Sequence, residues 1–362
     1  MPKIVSVSTY EPPYTIEQSN VEQLIKELFQ HKFNNLDRLL KVFKNGDIER
    51  RQFCVPMEWY KSEHTFEERN DLYIDLATIY TVDAIKKCLN NSNFLETSLD
   101  TSEIDAFIFV SSSGISTPSI DARVMNHLKF SDRIKRIPIW GLGCAGGASG
   151  ISRAFDYCLA HPTKKALVVC VELCSLTFQK NDHSKSNLVG TSLFSDGVAC
   201  ALICGDEVDV PTKNPIPYII NTASKWMPNS LDVMGWDFKD DGLHVIFSKD
   251  IPTIIENWLG PFIHDFLKEN KISYNQLAHF IAHPGGKKVL KAYENALNLT
   301  EHHTEISRNV LKQHGNMSSP TVLYVLEQFM LNNNPQNDYG LMVALGPGFS
   351  GEAVLLQWRN SN

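Results

Sequence analysis

The sequence predicts an α/β layered fold with an internal duplication. Three observations carry the prediction: strand-like and helix-like segments alternate, the central strands are near-continuous apolar runs, and one order of elements recurs at matching spacing. The strand candidates are Lys3–Thr9, Ile104–Ser111, Arg136–Trp140, Ala166–Glu172, Val198–Cys204, Tyr218–Ala223, His244–Phe247, Ala278–Ala282, Gly340–Ala344 and Ala353–Trp358. Runs such as Ala166 to Val171 and Val198 to Cys204 read as strands covered on both faces. Helical periodicity falls between them, over Glu17–His31, Glu67–Leu89, Ser119–Leu128, Ala145–Leu159, Ile251–Lys268, Lys287–Leu297, Thr304–Gln313 and Ser318–Leu331.

The duplication rests on spacing. A strand starting at Ile104 precedes Cys144 by 40 residues, and a strand starting at Leu277 precedes Asn316 by 39. A helix and a further strand follow each, which places Cys144 and Asn316 at equivalent helix starts. The polar, Pro-containing stretch from Gly205 to Pro215 is the best boundary. The expectation is a first half over 1–210 carrying a cysteine and a second over 211–362 carrying a histidine and an asparagine.

Composition narrows the function. With 362 residues the chain buries a sizeable core, and 43% hydrophobic residues exclude wholesale disorder. A net charge of −7 lacks the basic field that nucleic-acid binding needs, so an anionic ligand requires a local basic patch. The run Met1 to Ser8 has no long apolar stretch and no small-residue cleavage site, and reads as a strand. No apolar run approaches the roughly 20 residues of a membrane helix. The expected setting is cytoplasmic, without membrane insertion.

That setting disfavours disulfides among the eight cysteines, Cys54, Cys88, Cys144, Cys158, Cys170, Cys174, Cys200 and Cys204. The pairs Cys170/Cys174 and Cys200/Cys204 invite a zinc reading. Their apolar strand context, with no matching His pair, argues instead for small buried hydrophobes.

Three residues stand where chemistry is presented. Cys144 follows Trp140-Gly141-Leu142-Gly143 and opens a helix, a strand-to-helix elbow whose N–H groups and dipole favour a thiolate. His283 ends a strand and precedes Pro284-Gly285-Gly286. Asn316 follows Gly315 at a helix start. Taken singly they read as a packed thiol, a loop histidine and an ordinary cap. Together they supply a nucleophile, a base or donor, and a neutral amide donor. A thiolate suits acyl transfer from thioesters, two donors on one oxygen stabilise an enolate or oxyanion, and a thiolate and an imidazolium stabilise each other.

Four co-linear strings, Ile139-Trp140-Gly141-Leu142-Gly143-Cys144-Ala145-Gly146-Gly147, Ala282-His283-Pro284-Gly285-Gly286, Gly315-Asn316-Met317-Ser318-Ser319 and Gly346-Pro347-Gly348-Phe349, closely resemble the signatures of the chalcone-synthase-like, or type III, polyketide synthases. The resemblance spans essentially the whole chain and is strongest to bacterial members that make alkylpyrones. It implies a thiolase-type αβαβα fold, a homodimer, and no metal or redox cofactor. It implies that Cys144 takes an acyl group from acyl-CoA, while His283 and Asn316 promote decarboxylation of malonyl-CoA and hold the enolate. Iterative condensation would then end in cyclisation to a pyrone or resorcinol-type ring.

The resemblance also implies roles for the cavity. Phe194 matches a gatekeeper between the CoA tunnel and the cavity. Ser112, Cys174, Thr177 and Val245 fall at cavity-lining positions, and Thr117 at one that reaches the partner subunit's cavity. Val245 and Thr117 stand where plant members carry phenylalanine and methionine, which suggests room for a long acyl chain. Arg38, Lys41, Lys44, Arg50 and Arg51 form a basic cluster in an otherwise acidic chain. The family places CoA-binding bases at Arg38 and Lys41; its third basic position falls on Asn45, so Lys44 is the expected substitute. Gly285 and Gly286 complete the CoA-binding set. The alternatives are a condensing enzyme of the ketoacyl synthase III type using acyl carrier protein, a Cys-His thioester hydrolase, and a degenerate scaffold.

Overall fold

A computed structural model describes residues 1–30, 32, 35–213, 215–332 and 334–360. Its strands, in chain order, are β1 (Lys3–Tyr10), β2 (Tyr14–Glu17), β3 (Arg50–Phe53), β4 (Ala106–Ser111), β5 (Lys135–Trp140), β6 (Lys165–Leu173), β7 (Asp196–Cys204), β8 (Ile216–Trp226), β9 (Met234–Lys239), β10 (Gly242–Phe247), β11 (Leu277–Ala282), β12 (Tyr339–Gly346) and β13 (Ser350–Arg359). The main sheet runs β11-β12-β13-β8-β1-β7-β6-β4-β5. In the first half β4 and β6 are parallel, while β6–β7 and β7–β1 are antiparallel. The second half repeats the pattern, with β11–β12 parallel and β12–β13 and β13–β8 antiparallel. The two sets join where Lys3 of β1 pairs with Tyr218 of β8. The spacing-based duplication is thus a duplication of strand topology.

Side-chain alternation builds the layers. Along β6, Leu167, Val169, Val171 and Leu173 face an outer core shared with the helix Phe66–Leu89, while Ala166, Val168 and Cys170 face inward. Along β12, Leu341, Val343 and Leu345 face a second outer core with the helices Gly260–Glu269 and Lys287–Leu297, while Met342 and Ala344 face inward. Between the sheet halves lie the helices Gly146–Ala160 and Thr321–Leu331, which contact strands of both. The result is the five-layer αβαβα arrangement that the resemblance implies. Each central helix begins just after one elbow, so the two elbows meet at the middle layer.

Several elements depart from the sequence reading. The helix expected over Glu17–His31 is Gln18–Phe29, preceded by β2; Tyr14-Thr15-Ile16 find β-partners only in β3, far along the chain. His31 lies outside the described residues, as does Asn214 in the expected boundary stretch. The segment Ser119–Leu128 holds only the short helix Ile120–Val124, because the chain then turns to pack Leu128 and Phe130 on the first outer core. Pro261 has no N–H for the preceding turn, and the helix expected over Ile251–Lys268 widens to a π turn over Ile255–Leu259. The expected Ser318–Leu331 helix starts at Thr321, after Ser318 takes a left-handed φ of 59°. The helix Lys185–Leu193 and the strand β9 carry no clear periodicity and were not expected.

Trp358 is fully buried in the central core, edge-on to His279 at 4.8 Å. Trp358→Ala is expected to lower unfolding stability by about 3–5 kcal/mol, measured by denaturant titration.

Candidate active site

The first elbow leaves β5 at Trp140 and turns through Gly143-Cys144-Ala145 into the helix Gly146–Ala160. Gly143 has a φ of +47°, and a Cβ there would lie 2.8 Å from Pro347. Only glycine meets both conditions. The turn is fixed from beneath by Ser112, whose hydroxyl accepts from Gly141 N at 3.2 Å and Gly143 N at 3.1 Å. Cys144 is 6% exposed. Its Sγ lies 3.6 Å from Ser318 Oγ and 3.9 Å from Asn316 Oδ1.

The second elbow supplies Asn316. Gly315 has a φ of +67°, and a Cβ there would press within 2.8 Å of the Arg51 side chain. The Asn316 backbone is held on both sides, its N donating to Leu193 O at 2.9 Å and its O accepting from Ser195 N at 3.0 Å. Its side-chain Oδ1 accepts from Ser318 N at 2.8 Å, and its Nδ2 donates to Gly285 O at 3.2 Å. His283 follows β11, its backbone N donating to Val343 O at 2.8 Å. Both of its ring nitrogens are buried without a hydrogen-bond partner among the described residues. Cys144, His283, Gly285 and Asn316 line one cavity, walled by Leu193, Met234, Phe247, Ile251, Ile255, Val289, Tyr293 and Leu345.

Burial decides the charge state of this pair. It pushes the Cys144 thiol up to about 11, aided by the Glu172 carboxyl and opposed by the Ser318 and Asn316 contacts. It pulls the His283 imidazole down to about 3. Desolvation thus acts on both groups against the thiolate–imidazolium pair expected from sequence, and no hydrogen bond joins the ring to the sulfur.

A second, apolar cavity lies beyond Phe194. It is lined by Cys174, Thr177, Phe194 and Val245 among the expected residues, and by Val21, Leu24, Ile25, Phe53, Tyr60 and Phe178. Phe194 packs against Phe247 of the first cavity at 5.5 Å and Trp236 of the second at 5.7 Å, so it stands in the wall between them. Ser112 turns its hydroxyl to the elbow, and Thr117 is exposed and lines neither cavity. Arg38, Lys41, Lys44 and Asn45 are exposed on two short helices, and the Lys41–Asn45 helix packs on Lys185–Leu193, which borders both cavities. Gly286 follows Gly285 against Leu193.

Comparison with known proteins accounts for this arrangement. Residues 4–207 match the family model for the N-terminal domain of chalcone and stilbene synthases, and residues 219–358 that for the C-terminal domain. The chain belongs to the chalcone and stilbene synthase family, the type III polyketide synthases. It is 48% identical over 98% of both chains to a "Putative chalcone synthase" of Bacillus subtilis (strain 168). It is 32% identical to the 1,3,6,8-tetrahydroxynaphthalene synthase of Streptomyces peucetius subsp. caesius, over 98% of this chain and 93% of that one. The crystal structure of the corresponding Streptomyces coelicolor A3(2) enzyme, a bacterial type III polyketide synthase, superposes with a TM-score of 0.90 at 27% identity, covering 99% of this chain and 100% of that one.

As a type III polyketide synthase the chain is an acyl-transferring condensing enzyme. Among the described residues, no cluster of His, Cys, Asp and Glu could hold a metal, and no helix is long and apolar enough to cross a membrane. Two buried charges that sequence reasoning did not place flank the site. Glu172 accepts from Ser112 N at 3.0 Å and from Ser319 Oγ at 2.7 Å, tying both elbows together, and burial raises it to about 7. Arg51 was grouped with the basic cluster, and the structure corrects this: its side chain is fully buried. Its Nη1 donates to Thr191 O at 2.7 Å and Phe194 O at 2.5 Å, so the cation sits at the carbonyl end of the helix Lys185–Leu193, where the dipole favours it. Burial lowers its pKa to about 9, which leaves it charged at neutral pH.

Two outcomes follow from these positions. With its pKa pushed to about 11, Cys144 carries a thiolate fraction that grows as pH rises, and His283 stays neutral throughout. Iodoacetamide alkylation of the unliganded enzyme, read by mass, is expected to quicken about tenfold per pH unit from pH ~7 to ~9. A rate already level at pH ~7 would show a preformed ion pair. Arg51→Met strands two carbonyls and is expected to cost about 2–4 kcal/mol of stability, seen by thermal melting, with Arg51→Lys intermediate.

Proposed function

We propose that this chain loads a long-chain fatty acyl group from acyl-CoA onto Cys144, extends it with malonyl-CoA, and releases alkylpyrones from triketide or tetraketide chains, or alkylresorcinol-type products. The observation that carries this reading is the meeting of Cys144, His283 and Asn316 in one buried cavity, with Phe194 in the wall between it and an apolar cavity. No polar group of a starter is needed to fill that second cavity. The substrates are CoA thioesters, and no added cofactor takes part.

The chemistry begins with transfer of the acyl group. His283 takes the Cys144 proton as the sulfur attacks the starter thioester, and the CoA thiol leaves. Malonyl-CoA then enters the same cavity. Donors at His283 and the Asn316 amide hold its thioester oxygen while the carboxylate departs as CO2, and the electron pair left behind becomes an enolate. Its carbon attacks the carbonyl of acyl-Cys144, the sulfur leaves, and the longer chain, now on CoA, returns to Cys144 for another round. Phe194, with Cys174, Thr177 and Val245, shapes the space for the chain. Ser112 acts through the elbow. Arg38, Lys41 and Lys44, with Gly285 and Gly286, hold the CoA phosphates and arm. The active unit is a homodimer, in which Thr117 borders the partner's cavity, and each chain divides into halves over 1–210 and 211–362. The cytoplasm suits these substrates.

The test is incubation with malonyl-CoA and a panel of acyl-CoA starters, with products read by mass. Extended products from C8 and longer fatty acyl-CoAs, and loss of extension by at least about a thousandfold in Cys144→Ala, are expected. Preference for short aromatic starters would refute the long-chain reading. Dependence on malonyl carrier protein would favour the ketoacyl synthase III type, and free acid without extension a hydrolase.

A further inference from the structure

The cavity that holds Cys144, His283 and Asn316 is also lined by a tyrosine. Tyr293 sits on the helix Lys287–Leu297, one turn after Val289, and both line the cavity with Cys144, His283 and Asn316. The residue is fully buried, edge-on to Phe280 at 5.9 Å, and its hydroxyl has no hydrogen-bond partner among the described residues. The remaining walls are almost wholly apolar, and the hydroxyl of Ser248 already accepts from Asp250 N at 3.1 Å.

A buried hydroxyl without a partner is costly, and phenylalanine would fill the same volume without that cost. The hydroxyl therefore makes sense if an acceptor arrives with the ligand. Burial and the nearby Cys144 sulfur both raise the phenol's pKa, so it enters as a donor and not as a base. The incoming malonyl thioester brings two kinds of oxygen. Donation to the carboxylate would hold charge where it must be lost, and so oppose departure of CO2. Donation to the thioester oxygen follows the charge as it develops.

We propose that Tyr293 is a third donor, beside His283 and Asn316, to the thioester oxygen of the CoA substrate that becomes the enolate. The inference rests on the decarboxylative reading above and adds a residue to it. Its substrate class is the malonyl-type CoA thioester, recognised at the reacting carbonyl.

The test is Tyr293→Phe in the full-length enzyme, assayed for CO2 release from malonyl-CoA and for extended products. The kcat for decarboxylation is expected to fall about ten- to a hundredfold, with KM within about twofold of the parent. The melting temperature should not fall, and alkylation of Cys144 should keep its rate and pH profile. An unchanged kcat would overturn the proposal, as would a raised KM with unchanged kcat, which would place the phenol on the CoA arm. Tyr293→Leu separates ring from hydroxyl: if only this variant loses activity, the residue is packing and the proposal fails. A parent enzyme that releases no CO2 and extends no chain would instead refute the reading on which the proposal rests.

Discussion

The backbone of Asn316 is pinned between Leu193 and Ser195, and nearly everything at the site depends on that short parallel pairing. It is where the second half of the chain touches the segment that carries Phe194. Arg51 stabilises the junction from β3, bonding the carbonyls of Thr191 and Phe194 and packing its stem against Gly315. Neighbouring residues repeat the pattern. Gln52 N donates to Ser195 Oγ, and Cys54 N donates to Asp196 Oδ2 at 2.7 Å. A short strand outside the main sheet thus supports the amide at one side of the cavity and the aromatic wall at the other.

The burial of that cavity's polar groups sets its chemistry. Burial disfavours the charged form of both the Cys144 thiol and the His283 imidazole. The same desolvation strengthens each hydrogen bond that a bound oxygen receives. Unpartnered donors are therefore informative. Among the described residues the ring nitrogens of His283 have no partner, as expected of a group kept for a ligand.

What could be read from sequence divides along physical lines. The main strands were legible because burial on both faces leaves an unbroken apolar signature, as in β6 and β7. Cys144, His283 and Asn316 were legible because glycine-flanked element ends are rare and each carried a reactive group. β2 and β3 were not legible, since each is stabilised by a partner distant in sequence. Arg51 misled for the same reason: a charged residue in a basic run looks solvated until carbonyls some 140 residues later enclose it. Tyr293 was hidden differently. On a helix, an aromatic at core spacing reads as packing, and neither the unpartnered hydroxyl nor its place beside Cys144 shows in the sequence.

The duplication explains why three dissimilar groups converge. β4 and β11 are equivalent strands, and an elbow follows each at matching distance, so the fold brings two helix starts to the same middle layer. Symmetry fixes where the groups stand but not what they are. One elbow presents a sulfur and the other a neutral amide, and the latter cannot compete for the acyl group. His283 comes from neither elbow but from the end of β11, before the Gly285-Gly286 turn and beside β12, whose Val343 carbonyl receives its backbone N–H. An enzyme that must both hold a covalent acyl group and stabilise a carbanion needs unlike functions within one cavity. A duplicated scaffold with a sulfur at one elbow and an amide at the other brings such unlike groups into one cavity.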